Sequence, residues 1–118
     1  MSLDVYLKIE NPKCNHCGRG GDEIEVFSSN ITHNLGPMAE EAGIYKHLWR
    51  PEEIGITKAS QLIKPLRVGL ETMKANPPRF EKHNASNGWG LYKHFVPWVE
   101  EYLAACETHP DSSVFACR

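Results

Sequence analysis

Leu3, Val5, Leu7 and Ile9 alternate with Asp4, Tyr6, Lys8 and Glu10, and this run constrains the fold more than any other part of the chain. Successive side chains of an extended strand point to opposite faces, so the alternation predicts a strand with one face buried and the other wet. Beyond the turn-forming stretch from Asn11 to Gly21, a second alternation begins at Glu23-Ile24-Glu25-Val26. Two strands joined through a compact Gly- and Cys-rich loop read as an antiparallel hairpin. A lone hairpin is only marginally stable in water, so it needs a third strand and a helical cover. The short strand-like run Val114-Phe115-Ala116-Cys117 can supply the strand.

The intervening segment carries helical periodicity. Leu35, Met38, Ala39, Ala42, Tyr45 and Leu48 recur at three- and four-residue steps, which predicts one helix capped by Asn34 and ended by Pro51. Thr57 is placed to cap a second helix, with Leu62, Leu66, Leu70 and Met73 on its inner face and Asn76-Pro77-Pro78 as its stop. Pro65 falls inside it and is expected to kink or split it. Ser86 or Asn87 is placed to cap the last and longest helix, whose stripe is Leu91, Phe95, Trp98, Val99, Tyr102 and Cys106. Pro97 lies within that helix and leaves the Lys93 carbonyl without its usual donor. Cys106 sits at a core position and reads as an inert thiol. The expected fold is α+β: a small antiparallel sheet, made of the N-terminal hairpin plus the C-terminal strand, covered on one face by three or four helices. Residues 1–118 form a single domain in this reading.

A chain of 118 residues can bury roughly two thirds of its unfolded surface, so it has no need of disulfides. Its composition, 41% hydrophobic and 24% charged, argues against disorder. No apolar run approaches the roughly 20 residues that span a bilayer. Met1-Ser2-Leu3-Asp4 lacks the basic start of a signal peptide, so a cytoplasmic protein with reduced thiols is expected. A net charge of −2 disfavours a nucleic-acid partner. The charge is uneven, with Lys58, Lys64, Arg67, Lys74, Arg79, Lys82 and Lys93 facing only Glu71 and Glu81 between two acidic ends. Such a basic middle can meet an anionic partner or pair internally, and solvated helix surface is the plainer reading.

Three constellations carry candidate chemistry. In Cys14-Asn15-His16-Cys17-Gly18, two thiolates at zinc-ligand spacing sit in a tight turn. A closed zinc site needs four ligands, and no second Cys-x-x-Cys exists; His33 or a second copy of the chain in a homo-oligomer would have to complete it. The plainer reading is a hairpin turn with two free thiols. The polar run from Ser28 to Asn34 lies where the second strand should give way to the first helix. Asn30, Thr32, His33 and Asn34 there offer donors and acceptors near a helix start, an arrangement suited to an anion. Helix capping alone explains one or two of those residues and not the whole run. In Asn84-Ala85-Ser86-Asn87-Gly88-Trp89-Gly90, followed by Tyr92, the glycines let backbone approach closely while Trp89 offers a flat face for stacking. Trp89 can equally close the core. Arg50, in Trp49-Arg50-Pro51, is a further candidate anion ligand.

Enzyme signatures are missing. Gly18-Arg19-Gly20-Gly21 lacks the Gly-Lys-Ser/Thr ending of a phosphate loop, and neither a Gly-x-Ser-x-Gly elbow nor a His-Glu-x-x-His pair occurs. Of six histidines, His33 is the best candidate for a general base.

The run Asn30-Ile31-Thr32-His33-Asn34-Leu35 with Met38, then Leu48-Trp49-Arg50-Pro51-Glu52, Gly55-Ile56-Thr57 and Gly88-Trp89-Gly90, resembles small uncharacterised proteins of bacteriophages and prophage-like regions. That resemblance implies work in a bacterial host cytoplasm and carries over no catalytic residue. The function expected from all of this is a non-catalytic binding protein. It would hold a small anionic or nucleotide-like ligand between the 30–34 junction and the 88–92 segment. A protein–protein inhibitor of a host factor is the alternative, and a small enzyme using His33 the third reading.

Overall fold

Ser2–Glu10 forms β1, Glu23–Thr32 forms β2 and Ser113–Cys117 forms β3 in the structure, a computed structural model that describes residues 2–10, 23–84, 88 and 90–118. The sheet is antiparallel in the order β2-β1-β3. The strand with the cleanest alternation is thus the central one, and its Leu3, Val5 and Leu7 are wholly buried. Across β2 the pairs Leu3↔Ile31, Val5↔Ser29 and Leu7↔Phe27 give way to Lys8↔Glu25, so Val26 is the extra residue of a bulge. The opposite face is left open. There Tyr6 pairs with Phe115, and the Lys8 ammonium lies 5.0 Å from the Phe115 ring centre and 5.6 Å from that of Tyr6.

Among the described residues five helices accompany the sheet: α1 at Gly36–Glu41, α2 at Tyr45–Trp49, α3 at Ser60–Ala75, α4 at Pro77–Glu81 and α5 at Tyr92–Thr108. The α+β class, with a small antiparallel sheet built from the hairpin and the C-terminal strand, is as expected. α3 and α5 lie side by side on the sheet. Between them and β1, Leu62, Leu66, Met73, Phe95, Val99, Tyr102 and Cys106 build the centre of the core. Burial, with Glu107 beside it, pushes the Cys106 thiol up to about 12, so it stays protonated and unreactive.

The helix expected from Asn34 to Arg50 is instead broken into pieces. A 3-10 turn, His33–Leu35, precedes α1, and its N-cap is Thr32, not Asn34. α1 ends at Gly43, whose φ of +77° suits glycine. The Gly43 N–H donates to the Glu40 carbonyl and that of Ile44 to the Ala39 carbonyl, a Schellman ending that turns the chain and buries Ile44. Ile44 then packs on Gly69 of α3, where an added Cβ would lie 2.6 Å from its Cγ2. A hydrophobic stripe reads the same across such a break, because both helices turn their apolar sides to one core. After α2 a second 3-10 turn, Pro51–Ile54, closes on Gly55.

α3 runs unbroken through Pro65. Thr57 does not cap it; the Gln61 side chain reaches back instead and accepts from the Thr57 and Lys58 N–H groups at 2.7 and 2.9 Å. The Ala59 and Ser60 N–H groups donate to the Ser112 and Pro110 carbonyls, which docks the start of α3 onto the approach to β3. α5 begins at Tyr92, later than a cap at Ser86 or Asn87 would place it, and Asn84 Oδ1 accepts from the Tyr92 N–H at 2.8 Å.

Most of the basic middle pairs internally. Arg67 faces Glu107 and Lys74 faces Glu100 between α3 and α5, while Arg79 and Lys82 both reach Glu41. Glu41 joins α1 to α4 through two contacts with Arg79, at 2.9 and 2.7 Å, with His83 at 3.4 Å. The Arg79 guanidinium first, then His83 and Lys82, holds its carboxyl down at about 2, well below the usual glutamate range. A folded-state pKa below the unfolded one means that the charged carboxylate favours folding above the ordinary range, and that this contribution fades as pH falls toward 2. Glu41→Gln should therefore flatten the decline of urea midpoint between pH 4.5 and 2. An acid limb of unchanged steepness would show that this clamp contributes nothing.

Candidate functional site

The end of β2 and the 3-10 turn after it meet the segment before α5 because one residue of that segment has no side chain. Gly90 is buried with φ +112°, and a Cβ there would stand 2.9 Å from Asn34 Cβ and 3.4 Å from Thr32 Cγ2. The close approach that the Gly-x-Gly spacing implies is thus an approach to Thr32 and Asn34. Around it opens a cleft of about 1140 Å³, lined by Ser2, residues 30–35, Gly88, Gly90, Leu91, His94 and Trp98. Asn30, Thr32, His33 and Asn34 are therefore brought together, and with them the glycine-bearing segment expected to face them. Trp89 lies outside the described residues, as do Cys14 and Cys17.

Each polar group on the β2 side has a defined posture. Asn30 Nδ2 donates to Asp4 Oδ1 at 2.7 Å across the β1–β2 pair, which fixes its amide and leaves its Oδ1 as an acceptor. Thr32 Oγ1 accepts from the Asn34 N–H at 3.3 Å. His33 Nδ1 accepts from Trp49 Nε1 at 2.8 Å. Indole nitrogen only donates, so a neutral His33 carries its proton on Nε2. Trp49 is itself anchored: 2% exposed, stacked on Tyr45 at 5.3 Å, and holding Arg118 through its carbonyl at 2.9 Å.

On the α5 side, His94 and Trp98 stand one helical turn apart. His94 is exposed and makes no side-chain bond to any described residue. Trp98 is 9% exposed and packs between Phe95 and Tyr102, with ring centres 6.4 and 5.6 Å away. Its Nε1–H is buried and has no acceptor among the described residues. These two residues were not anticipated as ligands. Spacing could have found them, since Leu91, His94 and Trp98 fall at i, i+3 and i+7 on the face adjoining the glycine segment.

Two expected ligands lie elsewhere. Arg50 lines a smaller depression with His33, Tyr45, Trp49 and Arg118, and its guanidinium pairs with Glu53 at 2.8 Å. Tyr92 lines a third, beside Glu81 and Asn84; its hydroxyl donates to the Met73 carbonyl at 2.7 Å and ties α5 to α3. Among the described residues no group of three or more His, Cys, Asp or Glu is placed to hold a metal ion. No described helix is long and apolar enough to cross a membrane. The helix start expected to attract an anion is a three-residue turn followed by a six-residue helix, too short for a substantial dipole.

Fold and site together define an α+β domain with a polar-lined cleft where the end of β2 meets the start of α5. No protein family, curated protein or solved structure matches the chain.

Proposed function

We propose that the protein is a non-catalytic binding protein that holds a small nucleotide-like ligand in the cleft between the end of β2 and the start of α5. The observation that carries this reading is the shared cleft itself, in which a run of amide, hydroxyl and imidazole groups faces the glycine-bearing segment and the start of α5 across a space of about 1140 Å³. That space is of the size that small-molecule sites occupy, with apolar wall from Ile31, Leu35, Leu91 and Trp98 between the polar groups.

The state of His33 supports binding over catalysis. With Nδ1 engaged by Trp49, its other nitrogen holds a proton, so the ring offers a donor where a general base would need a lone pair. His94 has no described neighbour to orient it as a base. Together with the phage-type resemblance of the sequence, this makes sequestration of a small host metabolite the proposed role.

The test is native mass spectrometry of the protein after incubation with a bacterial small-molecule extract. One dominant adduct is expected, and His94→Ala should reduce its occupancy at least tenfold at equal protein concentration without moving the melting temperature. An unadorned protein mass, with melting unchanged across a nucleotide panel, would remove the basis of this proposal.

A further inference from the structure

The cleft carries no fixed charge on its described lining, and this bears on which part of a nucleotide-like molecule it would hold. None of its described lining residues is Lys, Arg, Asp or Glu. The sequence from Asn84 to Leu91 likewise contains no ionisable side chain. The carboxylate nearest by bonding is Asp4, one hydrogen bond behind the Asn30 amide, and its charge opposes an anion at that end. A phosphate normally rests on guanidinium or ammonium groups, or on the start of a long helix. Four of the seven basic side chains of the middle segment are paired elsewhere, Arg79 and Lys82 with Glu41, Arg67 with Glu107 and Lys74 with Glu100, and Lys93 lines a different depression beside Glu81 and Asn84.

What the cleft does offer is polar and directional. Asn30 Oδ1 is an acceptor held in place by Asp4. Neutral His33 is confined to the tautomer with its proton on Nε2. His94 adds an imidazole with no described partner. On the wall between them, Trp98 is nine-tenths buried and keeps an indole N–H with no acceptor among the described residues. A buried donor left unpaired is costly, and a small shift of the indole that opened this N–H to the cleft would let an incoming carbonyl or ring nitrogen relieve it. Acceptor and donors around apolar wall match the edge of a flat heterocycle that itself carries both carbonyl and N–H groups.

Resting on the binding role proposed above, we infer that the cleft takes an uncharged, amide-edged heterocycle of the nucleobase or nucleoside type, and that any phosphate of such a ligand stays in solvent. The test is titration calorimetry with four nucleosides, their 5′-monophosphates and inorganic phosphate, at low salt. At least one nucleoside should bind, its monophosphate should differ from it by less than about threefold, and inorganic phosphate should give no heat. Trp98→Phe should weaken the nucleoside at least tenfold, and Lys93→Ala should leave both affinities unchanged. A monophosphate binding ten times more tightly than its nucleoside, or heat from inorganic phosphate alone, would overturn the inference and leave the binding role standing. If none of the probes binds, the inference fails, and the extract experiment then decides separately whether the cleft binds anything.

Discussion

Trp49→Ala is expected to remove about 3–5 kcal/mol of folding free energy, the usual range for truncating a large buried aromatic. Small domains are stable by about 5–15 kcal/mol in total, so the loss would be roughly a fifth of the whole at the least. Three contacts explain the size of the effect. The indole stacks on Tyr45, donates to His33 and packs into the core cluster, where it is almost fully shielded from water. Trp49→Phe separates packing from hydrogen bonding, because a phenyl ring keeps the stack and loses only the N–H. That variant should cost about 1 kcal/mol of hydrogen bond plus a smaller cavity term. It should also free the His33 ring to take either tautomer, and so weaken ligand binding out of proportion to its effect on stability. Arg118 bonds the Trp49 carbonyl and stays engaged in both variants. Urea denaturation checks the stability values; equal midpoints for wild type and Trp49→Ala would mean that the indole is not a structural anchor.

The sheet was legible because its signal is local. Period two at Leu3, Val5, Leu7 and Ile9 survives in sequence whatever the strand pairs with, and a one-residue slip would have turned every one of those side chains to water. The helical layer was legible only as a face. Its apolar stripe follows from which side meets the core, and that side is shared by α1 and α2 even though Gly43 breaks the backbone between them. Glycine at a helix end and glycine inside a helix look alike in sequence; what distinguishes Gly43 from Gly69 is tertiary, since Ile44 turns away after the first and lies against the second. α4 was hidden for a similar reason. Asn76-Pro77-Pro78 reads as a stop, yet proline fits the first turn of a new helix, where its missing N–H has no partner to lose.

At the site, the residues that sequence could point to were those whose polarity has no other local explanation. Asn30, Thr32, His33 and Asn34 form such a run, and all four line the cleft. Arg50 and Tyr92 are side chains of equally plausible chemistry whose partners lie near in space: Glu53 for the first, the Met73 carbonyl for the second. Trp98 was missed because a residue on an apolar stripe reads as core, and His94 because it lies beside that stripe as one of six histidines. The tautomer of His33 could not be read from sequence at all, since its donor is 16 residues away.

Gly90→Ala should be the most damaging single-atom change at the cleft, with Gly88→Ala as its control. Both glycines have positive φ, +112° and +79°, so either substitution forces an L-residue into an unfavourable backbone conformation at about 1–3 kcal/mol. They differ in what the new methyl group meets. At Gly88 nothing lies within 4 Å, so the cost is backbone strain alone. At Gly90 the methyl would lie 2.9 Å from Asn34 Cβ, 3.4 Å from the Asn34 carbonyl carbon and 3.4 Å from Thr32 Cγ2. The two Asn34 atoms belong to backbone or sit one bond from it, so rotating a side chain clears only Thr32 Cγ2, and the two walls of the cleft have to separate. The expected result is a stability loss for Gly90→Ala about 1–2 kcal/mol larger than for Gly88→Ala, in the range of ordinary overpacking. Ligand adducts should also fall at least tenfold for the former and change little for the latter. Equal melting temperatures for the two variants would mean that the segments do not touch at Gly90, and the cleft would lose the contact that defines it.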